Sequence, residues 1–377
     1  MNDRPRAAGA ATRGYLRPRF SGLPAFRAPA IGTDAAGNKL AQPPRRLNLN
    51  ESAEPPSPRV VEAVRRAADA LNRYPDPMAR KLALALAERT GVAAERIVFG
   101  NGSDELIGLS LAVALDAGDS AVLPTPSFGR YLVATSVLGA EPRQIPVTAE
   151  GANDIDAMLA AIDTTTRAVV VASPNNPTGA LVETAALVRL IAGVPDDCLL
   201  IIDDAYHEFA RAAGAADPLD LLKTRKGGWV VLRTLSKAYS LAGLRIGYAL
   251  TSADDIPNAL NLVRGTFNVN VLAQAAALAA LDDEDHVRAA VARCIAERER
   301  LSAGLAKLGL SVLPSAANFV SVALPLPAPQ TVAHLAEAGI LAGGVGGPPF
   351  ERHVRFTIGT AQDNDAVLAA VARLIAG

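Results

Sequence analysis

Thr234-Leu235-Ser236-Lys237-Ala238-Tyr239-Ser240-Leu241-Ala242-Gly243-Leu244-Arg245-Ile246-Gly247-Tyr248 is the stretch on which the fold turns. The apolar run Trp229-Val230-Val231-Leu232 leads into it, and a second run, 246–250, leads out. Short runs that are apolar throughout fit strands buried on both faces. A lysine is therefore delivered from the end of a buried strand into a turn rich in hydroxyls and glycine. An isolated lysine is ordinarily a solvated surface charge. This one has Ser236 beside it and Arg245 eight residues on. A planar guanidinium and a hydroxyl suit a phosphate. A lysine amine held near a cation in a partly dry cleft moves toward its neutral, nucleophilic form.

Working outward, similar apolar runs recur at 97–99, 121–123, 168–172 and 199–202. Helical periodicity lies between several of them, which implies crossovers and a mostly parallel sheet. Active groups then belong at the strand ends and in the turns that follow. Ser103, Phe128, Asn176, Asp203, Tyr206 and Lys237 all fall at such places. Gly100-Asn101-Gly102-Ser103-Asp104 joins a strand to a helix, aiming backbone N–H groups and the positive helix end at one point. An ordinary strand–helix connection would look the same. Asp203 on its own would equally be read as an acidic strand terminus. Ser57-Pro58 opens an early helix with an N-cap and a proline at its first position.

After Asn270 the pattern changes to a long helical region reaching about 307, with Glu297, Arg298, Glu299 and Arg300 read as its solvent face. Strands at 318–322 and 353–358, a Gly- and Pro-rich loop at 343–349 and a last helix at 363–375 follow. The expected organisation is a tail and arm over 1–46, a large three-layer α/β/α domain over 47–275 and a smaller α+β domain over 276–377.

With 377 residues, half of them apolar, the chain has ample material for a core. A net charge of −1 gives no reason to expect nucleic acid or a membrane surface as partner. Cys198 and Cys294 are far apart, and His207, His286, His334 and His353 form no ligand motif, so no metal site and reduced thiols in the cytoplasm are expected. The N-terminus carries Arg4, Arg6, Arg13, Arg17, Arg19 and Arg27 without the apolar core of a signal peptide, and reads as a basic tail.

Ser236-Lys237 followed by Leu241-Ala242-Gly243-Leu244-Arg245-Ile246-Gly247-Tyr248 resembles the pyridoxal-phosphate lysine segment of fold-type I aminotransferases, and within them the histidinol-phosphate aminotransferase group. The resemblance covers nearly the whole chain from about residue 23. It implies an aspartate-aminotransferase-like fold, pyridoxal 5'-phosphate (PLP) joined to Lys237, and Asp203 beside the ring nitrogen. It places Tyr206 and Asn176 (in Ser173-Pro174-Asn175-Asn176-Pro177-Thr178-Gly179) at the ring oxygen and Phe128 against the ring face. Ser103, Asp104, Ser236 and Arg245 go to the phosphate, with Tyr74 reaching the neighbouring subunit's phosphate site, which implies a homodimer. Arg355, in Val354-Arg355-Phe356-Thr357-Ile358-Gly359-Thr360, matches an arginine that binds an anionic substrate group; on its residues alone it would be a surface arginine on an edge strand. Asn48, Asn50 and Phe267-Asn268-Val269-Asn270 match the pattern near the substrate pocket.

Three departures stand out. Asp204 occupies a position that is usually glutamate. Phe26 stands where the arm commonly carries a phosphate-binding tyrosine. Gly339-Ile340 runs into Leu341-Ala342-Gly343-Gly344 without the usual arginine. Losing one charge-assisted partner costs about 1.5–3 kcal/mol, roughly tenfold or more in affinity. The expected activity is transfer of an amino group from an amine to a 2-oxo acid, with histidinol phosphate and 2-oxoglutarate as the first pair. An aromatic or other amino acid is the alternative donor. Three rivals are weighed: a decarboxylase resembling threonine-phosphate decarboxylase, a non-catalytic PLP-binding regulator domain, and a nucleotide-binding α/β protein. The last lacks both a G-x-G-x-x-G and a P-loop lysine.

Overall fold

The computed structural model describes residues 17, 19, 20, 23, 43–252 and 255–376. Strand β1 (Arg45–Arg46) comes first and is taken up below. Seven strands form the main sheet: β2 (Ile97–Gly100), β3 (Ser120–Thr125), β4 (Glu141–Pro146), β5 (Thr166–Ala172), β6 (Leu199–Asp203), β7 (Trp229–Thr234) and β8 (Gly247–Thr251). Their order is β2-β8-β7-β6-β5-β3-β4. Pairings from β7 through to β4 are parallel, and β8 runs antiparallel to both its neighbours.

Alternation along these strands explains why their sequences are apolar throughout. Val169, Val171, Leu200, Ile202 and Val231 point into one core, with Leu82, Leu86, Leu187 and Leu190 from covering helices. Val170, Ile201, Val230 and Leu232 point into the opposite core, with Leu106, Ile107, Leu111 and Tyr131. Beyond their first residues the central strands are buried on both sides because helices cover both faces, giving the expected three layers. Strand β4 escapes a reading by apolar runs. Its sequence, Glu-Pro-Arg-Gln-Ile-Pro, is polar with two prolines, which only an edge position tolerates.

The C-terminal unit has β9 (Phe319–Ala323), β10 (Ile340–Leu341), β11 (Gly343–Gly344) and β12 (His353–Thr357). An antiparallel β11-β12-β9 sheet packs on helices Glu284–Lys307 and Ala361–Ala376 around Leu301, Leu305, Val320, Val354, Phe356, Val367 and Val371. Strand β1 pairs in parallel with β10, and Leu47 is buried in this same core. The long helical region splits in two, at a break between helices Val271–Leu281 and Glu284–Lys307. Ala273, Ala276, Ala277, Ala280 and Leu281 lie in the large core, so position 275 falls inside a large-unit helix and the change of core follows Leu281. Arg298 is not on the solvent face; it is buried and donates to the Ala317 carbonyl at 2.9 Å.

Candidate active site

The parallel strands all end on one edge of the sheet, where a cavity of about 520 Å³ opens toward the C-terminal unit. Ser103, Asp104, Phe128, Asn176, Asp203, Tyr206, Ser236, Lys237, Arg245, Arg355 and Asn50 all line it. Tyr74 does not. It is 82 % exposed and stacks on Phe267 with ring centroids 4.5 Å apart. Phe26 lies outside the described residues.

Asp203 is the last residue of β6. The Tyr131 hydroxyl donates to its Oδ2 at 2.6 Å and the Ala205 backbone N–H to its Oδ1 at 3.1 Å. Burial raises its pKa to about 6, against the pull of the Tyr131 hydrogen bond. A buried acid of this kind awaits a protonated ring nitrogen. Lys237 follows β7 by three residues, and its Nζ donates to the Leu49 carbonyl at 3.2 Å. Burial pushes it down to about 8, helped by the charges of Arg355 and Arg245.

At the start of helix Ser103–Ala114 the backbone is stripped of side chains. Gly102 has φ +82°, and a Cβ on it would come within 2.5 Å of Arg245 Nη2. A Cβ on Gly247 would fall 2.6 Å from the Ser103 nitrogen. Free N–H groups at a helix start, an arginine drawn against glycine and the Ser236 hydroxyl make an anion cradle. This cradle, the buried acid and the depressed lysine line one cavity, and together they fit PLP: phosphate, ring nitrogen and aldehyde each find a chemical counterpart. Phe128, 37 % exposed, offers a ring face to the same cavity and meets Tyr131 edge-on at 6.0 Å.

The facing wall of the cavity comes from the C-terminal unit and from residues 48–51. Arg355 on β12 donates to Asn176 Oδ1 and to the Asn48 carbonyl, and its Cζ lies 5.5 Å from the Phe319 ring centroid. Its register partner is Gly343, where a Cβ would approach Arg355 Nη2 to 3.2 Å. Asn50, with φ 55°, donates from Nδ2 to the Tyr206 hydroxyl at 2.9 Å. The Thr357 hydroxyl and Asn318 Nδ2 hold Asn50 from the small sheet. Asn268 and Asn270 do not line the cavity. Asn268 Nδ2 bonds Glu105 and the Phe99 carbonyl, and Asn270 caps helix Val271–Leu281.

Tyr131 is the site residue that the sequence reading passed over. The available signal is its place three residues after Phe128, in the first turn of the helix entered from β3. Asp204, the departure from glutamate, turns away from the cavity to bond Arg233 and His207.

Residues 46–371 match the class I and II aminotransferase family. Histidinol-phosphate aminotransferase 2 of Pseudomonas aeruginosa is 41% identical over 331 residues, covering 88% of this chain and 89% of the relative. An aromatic amino acid aminotransferase of Rhodococcus jostii is 42% identical over 324 residues, 86% of this chain and 88% of that one. Among solved structures, the histidinol-phosphate aminotransferase of Sinorhizobium meliloti in complex with pyridoxal-5'-phosphate superposes with TM-score 0.87 at 30% identity, covering 98% and 99% of the two chains. The fold built on these strands and the family match agree: the chain belongs to the class I and II aminotransferases, and is a PLP-dependent transaminase.

Proposed function

We propose that the amine donor is histidinol phosphate and the acceptor 2-oxoglutarate, and that the enzyme works in the cytoplasm as a homodimer. The observation that carries the donor is Arg355, a buried guanidinium held over the cavity by Asn176 and the Asn48 carbonyl and so preset for an anionic group. Relatives bearing the histidinol-phosphate name support it.

Within this reading Lys237 would hold the cofactor. Asp203 would keep the ring nitrogen protonated, Tyr206 and Asn176 would serve the ring oxygen and Phe128 the ring face. Ser103, Asp104, Ser236 and Arg245 would hold the phosphate, with Tyr74 from the partner subunit. Bound there, PLP supplies an electron sink and a carrier for the amino group. The chain supplies proton traffic and orientation. With Lys237 at about 8, roughly one amine in ten is neutral at pH 7, against about one in three thousand for an ordinary lysine. Its Nζ therefore takes a proton from the substrate carbon and returns it as general base and then acid. Arg355 and Asn176 orient the substrate, and the Asn50–Tyr206 hydrogen bond ties the segment at 48–51 to the ring-oxygen site. The division into a PLP-binding large domain and a smaller C-terminal domain belongs to the same reading, supported by the two separate cores.

A second reading, an aromatic amino acid as donor, is favoured by one observation: Gly343 puts no second cation beside Arg355. A half-reaction screen decides between them. PLP-loaded protein is mixed with histidinol phosphate, then with phenylalanine and tyrosine, and the fall of the bound-cofactor absorbance is timed. Fast loss with histidinol phosphate is expected; loss only with aromatic amino acids overturns the donor. The homodimer is tested by mixing Tyr74→Ala with Lys237→Ala protein. Recovered activity in the mixture is expected, and none refutes shared sites.

A further inference from the structure

Behind Asp203, on the far side from the cavity, lies a cluster of charge that the site does not use. Arg233 on β7 is 4 % exposed, and its Nε donates to Asp204 Oδ2 at 2.9 Å while Nη2 donates to Asp217 Oδ1 at 2.7 Å. Asp204, directly after Asp203, is 2 % exposed. His207 opens the next helix, with Nδ1 2.8 Å from Asp204 Oδ2 and Nε2 3.9 Å from Asp217 Oδ2. Two carboxylates thus face one permanent cation and one titratable ring. Asp204, His207 and Asp217 could be taken for metal ligands, but the guanidinium already bridges both carboxylates.

The geometry ties this cluster to the reaction. Asp203 is paired with Leu232 in the β6–β7 register, and the Asp204 N–H donates to the Leu232 carbonyl at 2.9 Å. Arg233 is the next residue along β7, four before Lys237. The Arg233–Asp204 bridge therefore clips together the strand ends that carry the acid and the lysine. We propose that Arg233, Asp204, Asp217 and His207 form a network of opposed charges, buried at Arg233 and Asp204 and half-buried at His207 and Asp217, that positions Asp203 and sets the field it works in. This rests on the role given above to Asp203.

The electrostatic sign is fixed. Asp204 is among the charges that raise Asp203. Arg233 offsets that charge through its bridge to Asp204. Removing the anion alone moves titrations in the site down; removing the cation alone moves them up. His207 faces Asp204 and Arg233 from the adjacent strands, Asp217 from the loop before helix Pro218–Leu222 and Glu208 on its own helix. Despite its burial it is held above the ordinary histidine value, first by the Asp204 hydrogen bond. These four are positioning residues, acting through Asp203.

The test uses the full chain with Asp204→Asn, Asp204→Glu, Arg233→Gln and His207→Gln. The first readout needs no cofactor. The four histidines are followed by NMR against pH, His207 being assigned by its absence from His207→Gln. Its midpoint is expected above that of an ordinary histidine and falls in Asp204→Asn. The second readout is the pH midpoint of the bound-PLP absorbance. Asp204→Asn is expected to lower it and Arg233→Gln to raise it, each by about half a pH unit or more, with Asp204→Glu near the native value. Turnover in Asp204→Asn is expected to fall about tenfold in kcat with KM changed less than about twofold.

Shifts of the same sign in the two charge-removing variants would mean mere loosening and overturn the proposal. So would a His207 midpoint indifferent to Asp204. Should Arg233→Gln fail to fold, the Asp204 pair and the NMR titration still decide. Failure of the underlying Asp203 reading shows differently: Asp203→Asn would leave turnover and the bound-PLP midpoint at native values, while the His207 titration would still report the network.

Discussion

Replacing Tyr131 with phenylalanine isolates one hydrogen bond. The ring is 2 % exposed and packs edge-on against Phe128, so Tyr131→Phe keeps its packing and deletes the 2.6 Å contact to Asp203. A hydrogen bond to a charged acceptor contributes about 1.5–3 kcal/mol, which corresponds to a rise of about one to two pH units in the carboxyl's midpoint. Asp203 stands at about 6 with the bond intact, so the variant titrates near 7 to 8. Only the carboxylate holds a protonated ring nitrogen, so PLP affinity of the cofactor-free protein follows the ionised fraction. At pH 7 the variant is expected to bind PLP about two- to tenfold more weakly, and at pH 9 within about 1.5-fold of native. The assay is an absorbance titration of cofactor-free protein with PLP between pH 5 and 9. A loss of equal size at pH 7 and pH 9 would show that Tyr131 acts through packing. An unmoved acid limb would show that the hydroxyl does not hold the carboxylate.

Asp203→Asn is expected to abolish turnover yet stabilise the cofactor-free protein. A carboxyl raised from 3.8 to about 6 contributes stability below the lower value that is lost as pH rises through the upper one, about 3 kcal/mol in all. Thermal unfolding at pH 8 should therefore rise by a few degrees and at pH 3.5 stay unchanged; a fall at pH 8 contradicts this. Gly102→Ala puts a Cβ at φ +82° against Arg245 Nη2. Strain of about 1–2 kcal/mol and a displaced arginine should weaken PLP binding tenfold or more by equilibrium dialysis. Arg355→Lys loses the fork and should raise KM for the 2-oxo acid about tenfold or more; an unchanged KM would remove Arg355 from substrate binding. Lys237→Ala should leave no turnover, and a normal rate would remove the lysine from the chemistry.

The central strands were legible because burial on both faces forces apolar runs, and Asp203 and Lys237 because strand ends are where a parallel sheet gathers its active groups. Strand β4 was not, since an edge strand with prolines carries no such run. The split after Leu281 was hidden for another reason. Helix Val271–Leu281 is apolar nearly all round and helix Glu284–Lys307 carries an apolar face, and nothing local says which core each meets.

By itself the sequence placed Asp203, Lys237 and the Gly100–Asp104 turn at strand ends, because apolar runs mark the buried strands, and its resemblance to a known family gave the cofactor and the reaction class. Only the tertiary structure decided what surrounds them. Tyr131 on Asp203, Asn50 on Tyr206, Gly343 opposite Arg355 and the Arg233 bridge between Asp204 and Asp217 join residues 12 to 156 positions apart. Such contacts are set by strand register and by the docking of one core on another, and neither is written in any local stretch of chain.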